Sequence, residues 1–205
     1  MIGNKAPRLF RVNTNGFTLI ELMITIAISS IAMFAIYGVF ISSNHAYRTQ
    51  EGAVDAQQRA RVGLDLMVRN IRMAGLDPLG SAGAGIEVAT ASNIRFTADV
   101  DMTGAIDTAN DERLTYNYNN VDTLNQIRYE GTASQNFQPM LDRVRALTFT
   151  YRNAAGGIIV APVTGAALAN IRSVDITITC DGVGERGQIL TRTLSTRVNC
   201  RNIGI

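Results

Sequence analysis

The residues able to do chemistry in this chain are few, and most are acids. Asp99, Asp101, Thr103 and Asp107 set oxygen groups at alternating positions around Gly104, in the stretch DVDMTGAID. Oxygen ligands on a tight, glycine-centred turn suit calcium, a hard cation. Asn110 stands at the twelfth position, where a bidentate carboxylate is wanted, so Asp111 or Glu112 would have to close the shell. The competing reading is an acidic, solvated hairpin loop. Glu21 is the one charge in the run from Phe17 to Ile41, FTLIELMITIAISSIAMFAIYGVFI. A carboxylate deep in a membrane costs about 2.5–3.5 kcal/mol, so it must either reach water or find a partner.

Cys180 and Cys200 form the third group. An oxidising compartment would favour a disulfide between them. Its geometry requires Cα atoms within about 7 Å. If the segments on either side of the Asp181–Gln188 turn form a hairpin, the two cysteines lie at opposite ends, roughly 36 Å apart at 3.3 Å per residue. Both occupy the apolar phase of their strands, where a free thiol packs well. The bond therefore requires that the hairpin reading fail. His45 is the only histidine, which argues against a zinc finger or a His-based metal site. No Gly-x-Ser-x-Gly and no phosphate loop occurs, so no catalytic residue is assigned and the chain is read as a non-enzyme. A net charge of +2 from 18 Arg, Lys5 and 17 acids gives no bulk attraction for nucleic acid.

The elements that hold these residues follow from periodicity. Residues 1–16 are polar and basic, with Lys5, Arg8 and Arg11 and no acid. Residues 17–41 are long enough to cross a membrane, which takes roughly 20 apolar residues. The positive-inside rule keeps the basic leader cytoplasmic and sends the remainder across. Residues 42–76 turn polar without a break. Ala53, Ala56, Ala60, Leu64, Met67, Ile71 and Ala74 form one helical stripe, and Gly75 and Pro78 supply the stop. A helix from Phe17 to Ala74 would measure about 87 Å. Gly38 and Gly63 each weaken it by up to about 1 kcal/mol. Residues 77–205 change to period two, with apolar alternation around 86–88, 94–96, 114–118, 127–129, 147–151, 174–180 and 190–200. The expected fold is α+β: a long N-terminal helix, half spanning and half amphipathic, packed on an antiparallel sheet.

Gly16, Phe17 and the Thr-Leu-Ile-Glu-Leu that follows, with a basic leader before and an apolar run after, closely resemble the type IV prepilin motif. The resemblance implies cleavage between Gly16 and Phe17 by a prepilin peptidase and N-methylation of the new Phe17 amine by the same family of enzymes. It implies that Glu21 of one subunit pairs with the Phe17 amine of a neighbour during assembly. Other pilin and minor pilin subunits and the inner membrane become the expected partners. The chain would be a single-pass protein, with its head periplasmic and later in the pilus. The arginine-rich helix, MVRNIRMAGLDP, a meander and the late RVNCRN are similar to the PilW-like minor pilins. Minor pseudopilins of type II secretion share the prepilin motif and remain the alternative. The Asp99–Asp107 spacing is similar to the first part of an EF-hand loop, without flanking helices. Calcium is the sole cofactor expectation, and a calcium-dependent adhesion module the reading it would serve.

Overall fold

The computed structural model describes residues 16–107 and 110–204. The chain falls into two compact units, divided between His45 and Ala46. From Leu19 onward the described part of the first unit is helix. α1, Leu19–Ile71, supplies it and also opens the second unit. In the first unit the apolar side chains face outward: Phe17 is 88% exposed and Phe34 83%. Large apolar groups left in the open are stable only where the solvent is not water, and this helix is long and apolar enough to cross a membrane.

The second unit buries one face of α1. Gly52, Ala56, Ala60, Gly63, Leu64, Met67 and Ile71 are buried there, followed by Ala74. The stripe thus begins on Gly52, with Ala53 only half-buried. Gly75, with φ +80, turns the chain out of the helix direction.

Nine strands follow: β1 Ile86–Ala89, β2 Asn93–Thr97, β3 Arg113–Tyr118, β4 Leu124–Arg128, β5 Asn136–Leu141, β6 Val144–Arg152, β7 Ile158–Ile159, β8 Ser173–Val183 and β9 Ile189–Asn199. They form two antiparallel sheets rather than one, ordered β1-β2-β3-β4-β5 and β7-β6-β8-β9. The break falls at Asp142–Arg143. Arg143 adopts φ 53, and Val144 leaves β5 to pair with Cys180 of β8. The β5 strand carries Pro139 and shows no apolar alternation, so its pattern does not announce a strand. As an edge strand it tolerates the missing N–H.

Alternation sets which side chains fill the core. Ile94, Phe96, Leu114 and Tyr116 point inward from the first sheet. Leu147, Phe149, Tyr151, Val174, Ile176 and Ile178 do so from the second. Both sheets are tied to the core by buried tyrosines. The Asn70 amide of α1 donates to the Tyr116 hydroxyl at 2.6 Å, and the Tyr151 hydroxyl donates to the Thr90 carbonyl at 2.7 Å. Burial pushes the Tyr116 phenol up to about 12.

Candidate functional site

The start of α1 is built as a capping box. The Thr18 hydroxyl accepts the Glu21 N–H at 3.3 Å, and the Glu21 carboxylate accepts the Thr18 N–H at 3.3 Å. Thr18 and Glu21 are three apart, the spacing at which each side chain reaches the other's orphan amide. The Thr18 hydroxyl also lies 3.3 Å from the same carboxylate oxygen. Glu21 is therefore held at the helix's positive end, where a negative charge is favoured. Gly16 and Phe17 precede the helix outside any regular element and are exposed. The residues of the prepilin motif within the described range thus sit together at one exposed helix start. The signal for the capping role of Thr18 in the sequence is the TLIE spacing.

The acidic loop lies in the second unit. Asp99 and Glu112 are buried and Asp101 is exposed, and one carboxylate oxygen from each lies within 4.8 Å of the others. Backbone amides offset the repulsion among them. Asp99 accepts the N–H groups of Thr103 at 3.0 Å and Gly104 at 2.9 Å. Glu112 accepts those of Val100 and Asp107 at 2.9 Å and Asp101 at 3.3 Å. Hydrogen bonds from Thr103 hold the Asp101 carboxyl below the usual range against some desolvation, with help from the Thr103 amide and Asn110. Gly104, with φ +80, makes the turn that brings these groups round.

Of the four sequence-predicted ligands, Asp99 and Asp101 converge. Thr103 enters through its amide and its hydroxyl, and Asp107 through its amide. Glu112, from the far side of the loop, completes the carboxylate group, while Asp111 turns away to Arg128 at 3.0 Å. Such a group offers hard oxygen ligands to a divalent cation. It also works as an amide-capped turn without one.

The disulfide expectation is corrected. Cys180 and Cys200 are both free and buried. β8 and β9 form a hairpin in unbroken register, Cys180 faces Arg192, and the Cys200 N–H donates to the Arg172 carbonyl at 2.9 Å. The eight residues from Arg172 to Cys180 span roughly 26 Å at 3.3 Å per residue, far beyond the reach of an S–S bond. Burial pushes the Cys180 thiol up to about 11 and the Cys200 thiol up to about 12, so neither is a ready nucleophile.

A cleft lined by Gly75, Pro78, Gly83, Leu168 and Ile203 has Asp77 as its one ionisable lining group. The Asp77 carboxylate is taken up by the amides of Ser81 at 3.2 Å and Gly83 at 2.9 Å. It has no base or nucleophile beside it in that lining.

Residues 11–37 match the model of the prokaryotic N-terminal methylation motif. The match covers the helix start and most of the apolar stretch. It supports a type IV prepilin-like protein, a pilin or pseudopilin type of substrate for prepilin peptidase that assembles with other pilins. Proteins with this motif are structural. No curated protein matches the chain.

Proposed function

We propose that the chain is a minor pilin, a non-catalytic subunit that takes part in assembling or priming a type IV pilus. The observation that carries this is the methylation motif, matched over residues 11–37 and seated on an exposed apolar helix with a carboxylate in its first turn. Prepilin peptidase cuts between Gly16 and Phe17, and the new Phe17 amine is methylated. The helix of residues 17–41 anchors the subunit in the inner membrane in a single pass, leader side cytoplasmic and head periplasmic. The new amine is a cation in an apolar setting, and Glu21 of a neighbouring subunit neutralises it. Leaving either charge buried alone costs about 3–5 kcal/mol, so the pair selects the register of assembly. The similarity of residues 67–78 and 197–202 to the PilW-like minor pilins supports the pilus over the secretion filament.

N-terminal mass spectrometry of the membrane-extracted chain tests the processing. A chain beginning at methylated Phe17 is expected, and retention of Met1–Gly16 sinks the reading. Deleting the protein separates the two filaments: loss of piliation is expected, whereas intact pili with failed protein secretion identifies a minor pseudopilin.

A second reading rests on the convergence of Asp99, Asp101 and Glu112. The loop binds calcium, and the ion tightens a head that serves adhesion at the pilus tip. Millimolar calcium is then expected to raise the thermal midpoint of the chain over that in EDTA, and Glu112→Gln to abolish the rise. An unchanged midpoint removes this reading.

A further inference from the structure

A sheet edge left open is a row of unpaired amides and carbonyls, and folded proteins ordinarily guard it. Three of the four edges here are guarded. β1 has four residues and is bridged at Ala89 by Val163. β5 carries Pro139 and a bulge at Met140. β7 has two residues, with Pro162 shortly after. β9 is the exception: eleven residues, without Gly or Pro, paired to β8 without a bulge, and bordered by no other strand among the described residues.

Its side chains say what would lie beside it. Leu190, Arg192 and Leu194 share the face that turns toward α1, since they stand opposite Gly182, Cys180 and Ile178. Both leucines are only half-buried. Arg192 is exposed, donates to the Thr191 carbonyl at 3.2 Å, and pairs with no carboxylate among the described residues. A strand laid along this edge would cover the leucines with apolar side chains and meet Arg192 with an acid between them.

The direction of β9 limits the source. Near one end of the unit the start of β9 and Thr49 of α1 both lie beside Gly184; at the other, Ile203 lies beside Gly75. The strand and the helix therefore run in the same sense. A second copy paired antiparallel through β9 would have its α1 reversed, with its residue 46 at the opposite end. The β9 of a second copy, ILTRTLSTRVN, would also bring two arginines and no acid to this edge, so it offers Arg192 no partner.

We infer that β9 is a strand-addition site for an extended segment of a different subunit, apolar–x–acidic–x–apolar in pattern. The source of that segment rests on the proposed function, because it is another protein bearing a methylation motif.

The test uses the full chain in cells, with the photo-crosslinker p-benzoylphenylalanine placed singly at each position from 191 to 197 and at exposed Val160, just past the guarded β7 edge. Adducts with a second methylation-motif protein are expected from the β9 positions and not from Val160. No adduct, equal adducts at Val160, or an adduct with a second copy of this chain overturns the inference. Thr193→Pro and Leu194→Pro sharpen the test, because adjacent amides of an edge strand point to opposite sides. One of the two removes an outward donor alone; it is expected to keep its melting temperature and to lower adduct yield about tenfold. Undiminished yield in both overturns the strand geometry. Presence of the chain in sheared filaments is scored separately. Adducts without filament entry sink the pilin reading and leave this one standing; filament entry without adducts does the reverse.

Discussion

At the residue scale, one carboxylate has two uses. Glu21 closes the capping box with Thr18 in the single chain, and the proposed assembly offers it the amine of a neighbour. Glu21→Gln retains the side chain's length and an oxygen able to accept the Thr18 amide. It is expected to insert in the membrane normally and to enter filaments at least about a hundredfold less, the scale of a lost buried pair worth about 3–5 kcal/mol. Incorporation equal to wild type, measured in sheared filaments, would refute the pairing. In the head, Asp175 is held below the usual carboxylate range by Arg197, with Arg152 at 2.7 Å assisting against partial desolvation. Asp181 is lowered likewise by Arg145 at 2.9 Å. A carboxylate lowered by folding stabilises the folded state fully above its unfolded value of about 3.9. That stabilisation disappears as pH falls through the lower folded value. Denaturant titrations should therefore show stability flat near neutrality and falling below about pH 4. Asp175→Asn is expected to remove about 1 kcal/mol at neutral pH, a modest figure because the pair is partly solvated, and to flatten the acid fall.

At the element scale, α1 and β8 meet backbone to backbone. A Cβ on Gly182 would stand 1.8 Å from the Gly52 carbonyl oxygen, and one on Gly52 would stand 2.5 Å from the Val183 carbonyl oxygen. Neither neighbour can rotate away. Gly182→Ala is expected to cost about 3 kcal/mol or more, at the upper end of overpacking effects. Gly63 forms a control on the same helix face. Its added Cβ meets only side-chain ends, Leu141 Cδ2 at 3.2 Å and Ile178 Cδ1 at 3.4 Å. Gly63→Ala gains up to about 1 kcal/mol of helix propensity against that small adjustment, so it should be close to neutral. Chemical denaturation of the two variants checks the contrast, and equal losses would contradict the close approach. Gly63 reads in sequence as a weak point of the helix; in the fold it leaves room for Leu141 and Ile178.

At the scale of the whole molecule, the two thiols report on the integrity of the second unit. They sit roughly 26 Å apart along one hairpin, estimated from 3.3 Å per residue, and both are buried. Alkylation under native conditions should be slow at both and should accelerate together on unfolding, as expected for groups exposed by a common opening. Intact mass should be the same with and without reductant. A mass lower by two protons before reduction would overturn the hairpin register.

The membrane-length apolar segment, its lone acid and the stop at Gly75 were legible in sequence because each is a local property. Hydropathy, one charge among apolar neighbours and a glycine at positive φ need no distant contact to be read. Alternation likewise marked the core strands from Ile94–Phe96 to Val174–Cys180. β5 escaped because an edge strand with Pro139 is defined by its partner β4 and not by its own pattern. The division into two sheets escaped too, since it hangs on the left-handed turn at Arg143. In the acidic loop, sequence gathered the near carboxylates and left Asp111 and Glu112 as alternatives; the fold set Glu112 beside them and turned Asp111 to Arg128. Spacing alone left both fates open for the cysteines; hairpin register kept them apart. What the sequence determined by itself were features carried by neighbours along the chain. What the tertiary structure decided were distances between segments far apart in it, set by strand register and by how closely two backbones can approach.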